Sequence, residues 1–121
     1  MAVRRIVPNI AADRIEEARR FYGNLLGLDL VMDLDWIVTF AGDGMVRPQI
    51  SIATHGGSGT DVPDISIEVD DVDDIFERAK ALGFEIPYGI ADEPWGVRRF
   101  YVRDPFGRTL NILSHPPEAR R

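Results

Sequence analysis

The sequence predicts an α+β protein made of two similar modules, each with the element order β-α-β-β-β. Each half of the chain contains one amphipathic helical pattern with strand-like segments on both sides of it. Each helical pattern also ends in a leucine and a glycine followed by an apolar, an acidic and an apolar residue, as LGLDL at 26–30 and LGFEI at 82–86. A repeat about half a chain length away indicates an internal duplication.

The first module contains one helix, predicted over residues 13–26. Apolar residues recur at helical spacing from Ile15 to Leu26, and Asp13 is the expected N-cap. Gly27 ends the pattern, because glycine readily adopts the left-handed conformation that follows many helices. The strands of this module are predicted at 4–10, 28–33, 36–41 and 48–53.

The second module repeats this organisation, with a helix predicted over residues 71–82 and ended by Gly83. Its apolar stripe consists of Val72, Ile75, Phe76, Ala79 and Leu82. The strands are predicted at 64–69, 84–89, 97–102 and 108–113. Each helix therefore has a four-stranded sheet to cover, and the other face of each sheet needs a different neighbour.

Alternation along several strands predicts one sheet face that is polar. In DISIEV at 64–69 the isoleucines face one way and the polar residues the other, and if Phe100 packs on the helix, Arg99 and Tyr101 lie on the opposite face. The pattern places Gln49, Ser51, Asp64, Ser66, Glu68, Arg99, Tyr101 and Asn111 on such faces. Polar groups interleaved with aromatic rings suit a ligand-holding concavity, and a solvated face of an antiparallel sheet fits the pattern equally well.

Length and composition exclude several classes of function. The chain has 121 residues, 45% hydrophobic and 28% charged, which predicts one ordinary globular domain over 1–121. A net charge of −6 argues against binding to nucleic acid or to an anionic membrane surface. The chain lacks cysteine, so it has no disulfides, thiolate metal sites or cysteine nucleophiles. With no secretion signal or long apolar run, a cytoplasmic location is expected.

Three ordered stretches carry a family resemblance. They are RRFYGNLLGLDLVMD at 19–33, SIEVDDVDDIFERAKALGFEI at 66–86 and EPWGVRRFYVRDPFGRTLNIL at 93–113. Together they resemble the vicinal oxygen chelate superfamily, which includes glyoxalases, bleomycin-resistance proteins and extradiol dioxygenases. The resemblance implies a glyoxalase-like domain with modules at about 4–54 and 64–114, whose mixed sheets curl around a cavity. It also supports a homodimer, but it does not identify the reaction, because this fold hosts many chemistries.

The resemblance further implies where a metal ion would sit in the metal-using members. Their ligands come from a histidine on the first strand of a module and a glutamate on the last. In this sequence those positions hold Asn111, Asp64, Ile6 or Val7, and Gln49 or Ser51. A neutral amide and an aliphatic side chain cannot replace carboxylate and imidazole around a divalent transition metal, although Asp64 with Asn111 could hold a hard cation weakly. We therefore predict no catalytic metal and no cofactor.

The remaining candidate side chains each have two interpretations. Trp95 could cover a flat ligand while Arg99 pairs with an anionic group, or Trp95 could fill a loop whose arginines pair with Asp92 or Glu93. Trp36 is expected in the core or in a cavity wall.

The two acidic residues on the polar face of the fifth predicted strand, Asp64 and Glu68, have three interpretations. They could act as an acid–base pair, receive a cationic ligand, or pair with Arg99. His55 and His115 are expected to be solvated.

The sequence therefore predicts a metal-independent protein that binds a small molecule in a concave sheet cavity. The alternative is a metal-dependent glyoxalase-like lyase or isomerase, or a dioxygenase, with non-standard ligands that could include His55 or His115. The predicted ligand-binding residues are Trp36, Gln49, Ser51, Asp64, Glu68, Trp95, Arg99, Tyr101 and Asn111. No catalytic residue is assigned, and the expected partners are a small-molecule ligand and a second copy of the chain.

Overall fold

The computed structural model describes residues 2–45 and 47–116. The chain is α+β and repeats the order β-α-β-β-β twice, as the sequence predicted. It divides into two compact units, Val7–Val62 and a second unit formed by Met1–Ile6 with Pro63–Arg121. The strands are β1 (Val3–Ala11), β2 (Asp29–Asp33), β3 (Ile37–Ala41), β4 (Gln49–Ala53), β5 (Ile65–Val69), β6 (Tyr88–Asp92), β7 (Arg98–Arg103) and β8 (Thr109–Ser114). That these units make up a single domain around a cavity stays a prediction.

The unit Val7–Val62 has the strand order β2-β3-β4-β1. Strand β4 pairs antiparallel with β3 and parallel with β1, so the sheet is mixed. Its core contains Val38, Phe40 and Ile52 from the sheet, together with Ile15 and Ala18 from the helical segment. Burial of these side chains supplies the hydrophobic free energy that holds the helical segment on the sheet.

The helical segment of this unit differs from the predicted single α-helix. Helix α1 spans only Glu16–Ala18 and continues as a π-helical stretch, Arg19–Leu25. The N-cap is Ile15 and not Asp13, and no side chain caps the helix. The interior Gly23 weakens the preference for an α-helix, and packing of Tyr22 against Phe40, with ring centroids 5.8 Å apart, then decides the local backbone.

The second unit has the strand order β5-β8-β7-β6, with β5 and β8 parallel and the other neighbours antiparallel. Helix α2 (Val72–Ala81) covers one face of this sheet, and the core between them includes Val72, Phe100 and Ile112. Asp71 caps the helix by accepting a hydrogen bond from the backbone N–H of Asp74.

Glycine ends both helical segments, as predicted. Gly27 and Gly83 have φ values of 71° and 79°, a conformation that other residues adopt only at a cost. The predicted strand at 84–89 is displaced in the structure, because β6 begins at Tyr88. Pro87 has no N–H to donate to a strand ladder, so regular pairing begins after it. Among the described residues, no helix is long and apolar enough to span a membrane.

Candidate functional site

A row of three polar side chains crosses the sheet of the second unit on the face opposite helix α2. The register pairs Ser66 with Asn111 and Asn111 with Tyr101, so the row runs from β5 through β8 to β7. Tyr101 is 3% exposed and Asn111 9% exposed. The predicted polar face of this unit is therefore buried at Asn111 and Tyr101, although Asp64 at its β5 edge is exposed.

The amide of Asn111 is only partly satisfied within this row. Its Nδ2 donates to Ser66 Oγ at 3.0 Å. Its Oδ1 is the one buried side-chain oxygen or nitrogen without a hydrogen-bond partner among the described residues. A buried acceptor of this kind costs about 1–3 kcal/mol when it is left unpaired, and such groups are uncommon in native proteins.

A buried ion pair lies beside this row on strand β7. Arg99 Nε is 2.6 Å from Glu93 Oε2, and both side chains are 4% exposed. The Tyr88 hydroxyl donates a second hydrogen bond to the same carboxylate oxygen, at 2.9 Å. The Arg99 guanidinium carbon lies 5.3, 4.9 and 4.9 Å from the ring centroids of Tyr88, Trp95 and Tyr101. These rings and the carboxylate compensate the burial of the cation.

This pair corresponds to the second interpretation of the segment 92–99, in which its arginines pair with nearby acids. Arg98 likewise contacts Asp92, at 3.1 Å, and Asp73 on helix α2, at 2.9 Å. Sequence analysis did not include Glu93 among the site residues. Its position is set by a turn in which the backbone N–H of Glu93 donates to Val97 O, which brings its side chain back to β7.

A second polar cluster surrounds Glu68 on strand β5. Arg5 Nε donates to Glu68 Oε1 at 2.7 Å, and His115 Nδ1 is 2.9 Å from Glu68 Oε2. Partial burial alone would raise the pKa of Glu68, but the hydrogen bond with His115 and the charge of Arg5 together hold it below its ordinary value. The sequence predicts a solvated His115, but its side chain contacts Glu68 on the polar face.

The other predicted site residues have local structural partners or lie in the other unit. Asp64 is exposed, and its Oδ2 accepts from the backbone N–H of Thr109 at 2.9 Å, which fixes the start of β8. In the unit Val7–Val62, the Ser51 hydroxyl is 2.7 Å from that of Thr39, and Trp36 stacks on His55 with centroids 4.9 Å apart. Gln49 is half-buried at the start of β4. Ligand contacts of all these residues stay predictions.

The side chains at the positions implied for a metal do not fit a divalent transition metal. Asn111 offers a neutral amide, and the Asp64 carboxylate is already bound to backbone. No group of three or more histidine, aspartate or glutamate side chains in the described part of the chain is placed to hold a metal ion. These positions therefore offer no imidazole and only one carboxylate, which is too few of the ligands that such ions require.

Comparisons with known proteins agree on one family. Residues 4–112 match the model of the Glyoxalase/Bleomycin resistance protein/Dioxygenase superfamily. No curated protein matches the chain.

Several solved structures resemble the fold. One is titled NAD-dependent benzaldehyde dehydrogenase from Legionella pneumophila (14% identity, TM-score 0.74, covering 93% of this chain and 100% of that one). Another is a glyoxalase/bleomycin resistance protein/dioxygenase superfamily member from Vibrio splendidus 12B01 (15% identity, TM-score 0.65, covering 95% of this chain and 100% of that one). A third is a hypothetical protein from Bacillus halodurans C-125 (14% identity, TM-score 0.70, covering 100% of both chains). At these identities the likeness concerns the fold alone.

Replacing Glu93 with glutamine tests the buried ion pair. The change leaves the Arg99 charge buried without its carboxylate, so we expect the free energy of unfolding to fall by about 3–5 kcal/mol. Urea unfolding measures this loss. The matched control is Asp73→Asn, which breaks an exposed pair with Arg98 and is expected to cost about 0–1 kcal/mol. The double variant Glu93→Gln/Arg99→Met is expected to recover part of the loss. A Glu93→Gln variant as stable as the Asp73→Asn control would contradict the assignment.

The Glu68 cluster predicts a specific dependence on pH. Because the pKa of Glu68 is lower in the folded chain than its ordinary 4.5, its contribution to stability is present above about pH 4.5 and is lost as pH falls through the folded value. A carbon-detected NMR titration of the Glu68 carboxyl group is expected to have its midpoint below 4.5. His115→Ala is expected to move the midpoint upward, whereas His55→Ala, in the other unit, is expected to leave it unchanged. If the midpoint is the same with and without His115→Ala, the contact between His115 and Glu68 is not formed in solution.

Proposed function

The chain belongs to the Glyoxalase/Bleomycin resistance protein/Dioxygenase superfamily, and we propose that it is a binding protein for a small molecule that works without a metal ion. The observation that supports this most directly is the row of the half-buried Ser66 with the buried Asn111 and Tyr101. Buried polar groups beside aromatic rings provide orientation and contact area, the two requirements of a small-molecule site. Sequestration needs nothing more than these contacts.

The amide at position 111 separates this proposal from metal-dependent chemistry. The family resemblance implies a metal-ligating glutamate there, and an asparagine can hydrogen-bond a guest without supplying charge to a cation. Metal-independent binding is therefore the function that this donor set favours. Trp95, which is half-buried and lies over Arg99, would extend the contact surface for the guest.

A second candidate function is the metal-dependent lyase, isomerase or dioxygenase. It is favoured by the contact between His115 and Glu68, since an imidazole and a carboxylate 2.9 Å apart are common elements of metal sites. Against it, Arg5 occupies the other oxygen of the same carboxylate, and a cation beside a metal opposes binding of that metal. We therefore rank this candidate second.

We also propose that the protein forms a homodimer. In the unit Val7–Val62, Phe21, Leu25 and Leu26 are 52%, 66% and 55% exposed, although all three are large apolar side chains. A second copy would remove such a surface from water. Sedimentation equilibrium measures the assembly state directly. The cytoplasmic location and the absence of nucleic-acid or membrane partners stay predictions.

Metal content tests the central part of the proposal. Protein purified without chelator is expected to contain far less than one equivalent of nickel, zinc, iron or manganese by mass spectrometry, because the donor set lacks suitable ligands. Its melting temperature is expected to be unchanged by EDTA. One equivalent of such an ion, lost together with stability on chelation, would favour the second candidate function instead.

Truncation of Trp95 tests the proposed contact surface. For a ligand found by thermal-shift screening of a compound library, Trp95→Ala is expected to weaken binding by about 1–3 kcal/mol, roughly five- to a hundredfold. Asn111→Ala is expected to weaken it as well, and calorimetry measures both. The matched control is Phe106→Ala, an aromatic truncation in an exposed turn. Unchanged affinity in both site variants would refute the proposed pocket.

A further inference from the structure

The oxygen of the Asn111 amide places a requirement on the guest of this unit. The nitrogen of the same amide is used by Ser66, which orients the group, while Oδ1 has no partner in the described chain. An amide oxygen is an acceptor only, so the missing partner has to bring a hydrogen. Buried polar groups with one half satisfied and the other unpaired are rare in native proteins, and a water, an ion or a bound molecule is among the partners that complete them.

The neighbouring side chains indicate the charge of that partner. The charged side chains on this face already have partners. Arg99 is paired with Glu93, Arg103 with Glu85, and Glu68 contacts Arg5 and His115. The exposed Asp64 carboxylate accepts a hydrogen bond from the backbone N–H of Thr109. Because these charges already oppose one another, an ionic guest would have to be desolvated without a new counter-charge, which is costly. Next along β8 on the face of Asn111 is Leu113, which is buried and apolar.

We infer that the guest is an uncharged molecule with an apolar or aromatic body and a hydroxyl or amide N–H group that donates to Asn111 Oδ1. This inference rests on the proposed function and specifies the class of ligand. A carboxylate group is disfavoured at this position, since its oxygens carry no hydrogen at neutral pH and would face the lone pairs of Oδ1.

Three matched probes test the requirement for a donor. Benzyl alcohol carries a hydroxyl donor, benzyl methyl ether lacks it, and benzoate carries an anionic acceptor. In titrations followed by NMR of nitrogen-labelled protein, benzyl alcohol is expected to shift the side-chain amide signals of Asn111. It is expected to bind ~3–10-fold more tightly than the ether, as one hydrogen bond allows. Benzoate is expected to bind most weakly.

Two variants locate the effect at the amide. Asn111→Leu removes the acceptor and is expected to make the affinities for the alcohol and the ether equal. The control Asn24→Leu makes the same change at an exposed position in the other unit and is expected to preserve the difference. Because Asn111→Leu takes away one hydrogen-bond partner of the Ser66 hydroxyl, the variant Ser66→Ala/Asn111→Leu removes both groups of that bond. It is also expected to lack the preference for the alcohol.

The outcomes separate this inference from the proposed function. Equal affinities of the unaltered protein for the alcohol and the ether, with shifts at Asn111, would overturn the inference, because the donor of the guest would then contribute nothing and water would serve Oδ1. The proposed function would still stand. Tighter binding of benzoate than of benzyl alcohol would also overturn the inference, because the site would then prefer an anionic acceptor. If none of the probes shifts any signal of this unit, the inference fails, whereas the proposed function is decided by the library screen and the variants Trp95→Ala and Asn111→Ala.

Discussion

The buried ion pair between Glu93 and Arg99 is the interaction on which the polar face of the second unit depends. Both charged side chains are only 4% exposed, and a buried ion pair is stable only when its geometry is good and its remaining polar atoms are hydrogen-bonded. Here the turn at 93–97 fixes the carboxylate, and the Tyr88 hydroxyl supplies a second hydrogen bond to it. Three aromatic rings surround the guanidinium, so one pair orients much of the aromatic surface on this side of the sheet.

The proposed recognition of an uncharged guest rests on the way these charges are arranged. Arg99 and Glu68 each lie on the polar face, yet each is opposed by a partner of the other sign within the same unit. Around Asn111 the face offers hydrogen bonds and ring surfaces, and the amide can orient a guest without adding charge. Metal-independent binding is the function that we propose for this arrangement.

Most of the fold could be predicted from local sequence pattern. Alternation identified which faces of β5, β7 and β8 lie against helix α2, and glycines marked the ends of both helical segments. The first helix was wrong in detail because packing of Tyr22 on Phe40 outweighs local helix preference around Gly23. The shifted start of β6 reflects Pro87, whose effect on a hairpin depends on which backbone groups face the neighbouring strand.

The sequence predicted which residues share a face of the sheet, but it did not predict which side chains pair with one another. Strand periodicity placed Arg99, Tyr101 and Asn111 together, and the structure confirms that arrangement. It could not show that Arg99 would pair with Glu93, since that choice depends on the path of a turn that carries no periodic signal. The same limit applies to Asn111: a pattern can put an amide on a buried face, but only the three-dimensional neighbours reveal which of its two ends is satisfied.

A crystal structure of protein purified without chelator and without added ligand tests the central claim most directly. The claim is that Asn111 binds an uncharged donor and not a metal ion. Anomalous diffraction recorded at the absorption edges of nickel, zinc, iron and manganese should then show no peak near Asn111. Any density within hydrogen-bond distance of Oδ1 should then be that of light atoms. An anomalous peak at coordination distance from the Asn111 amide would contradict the account.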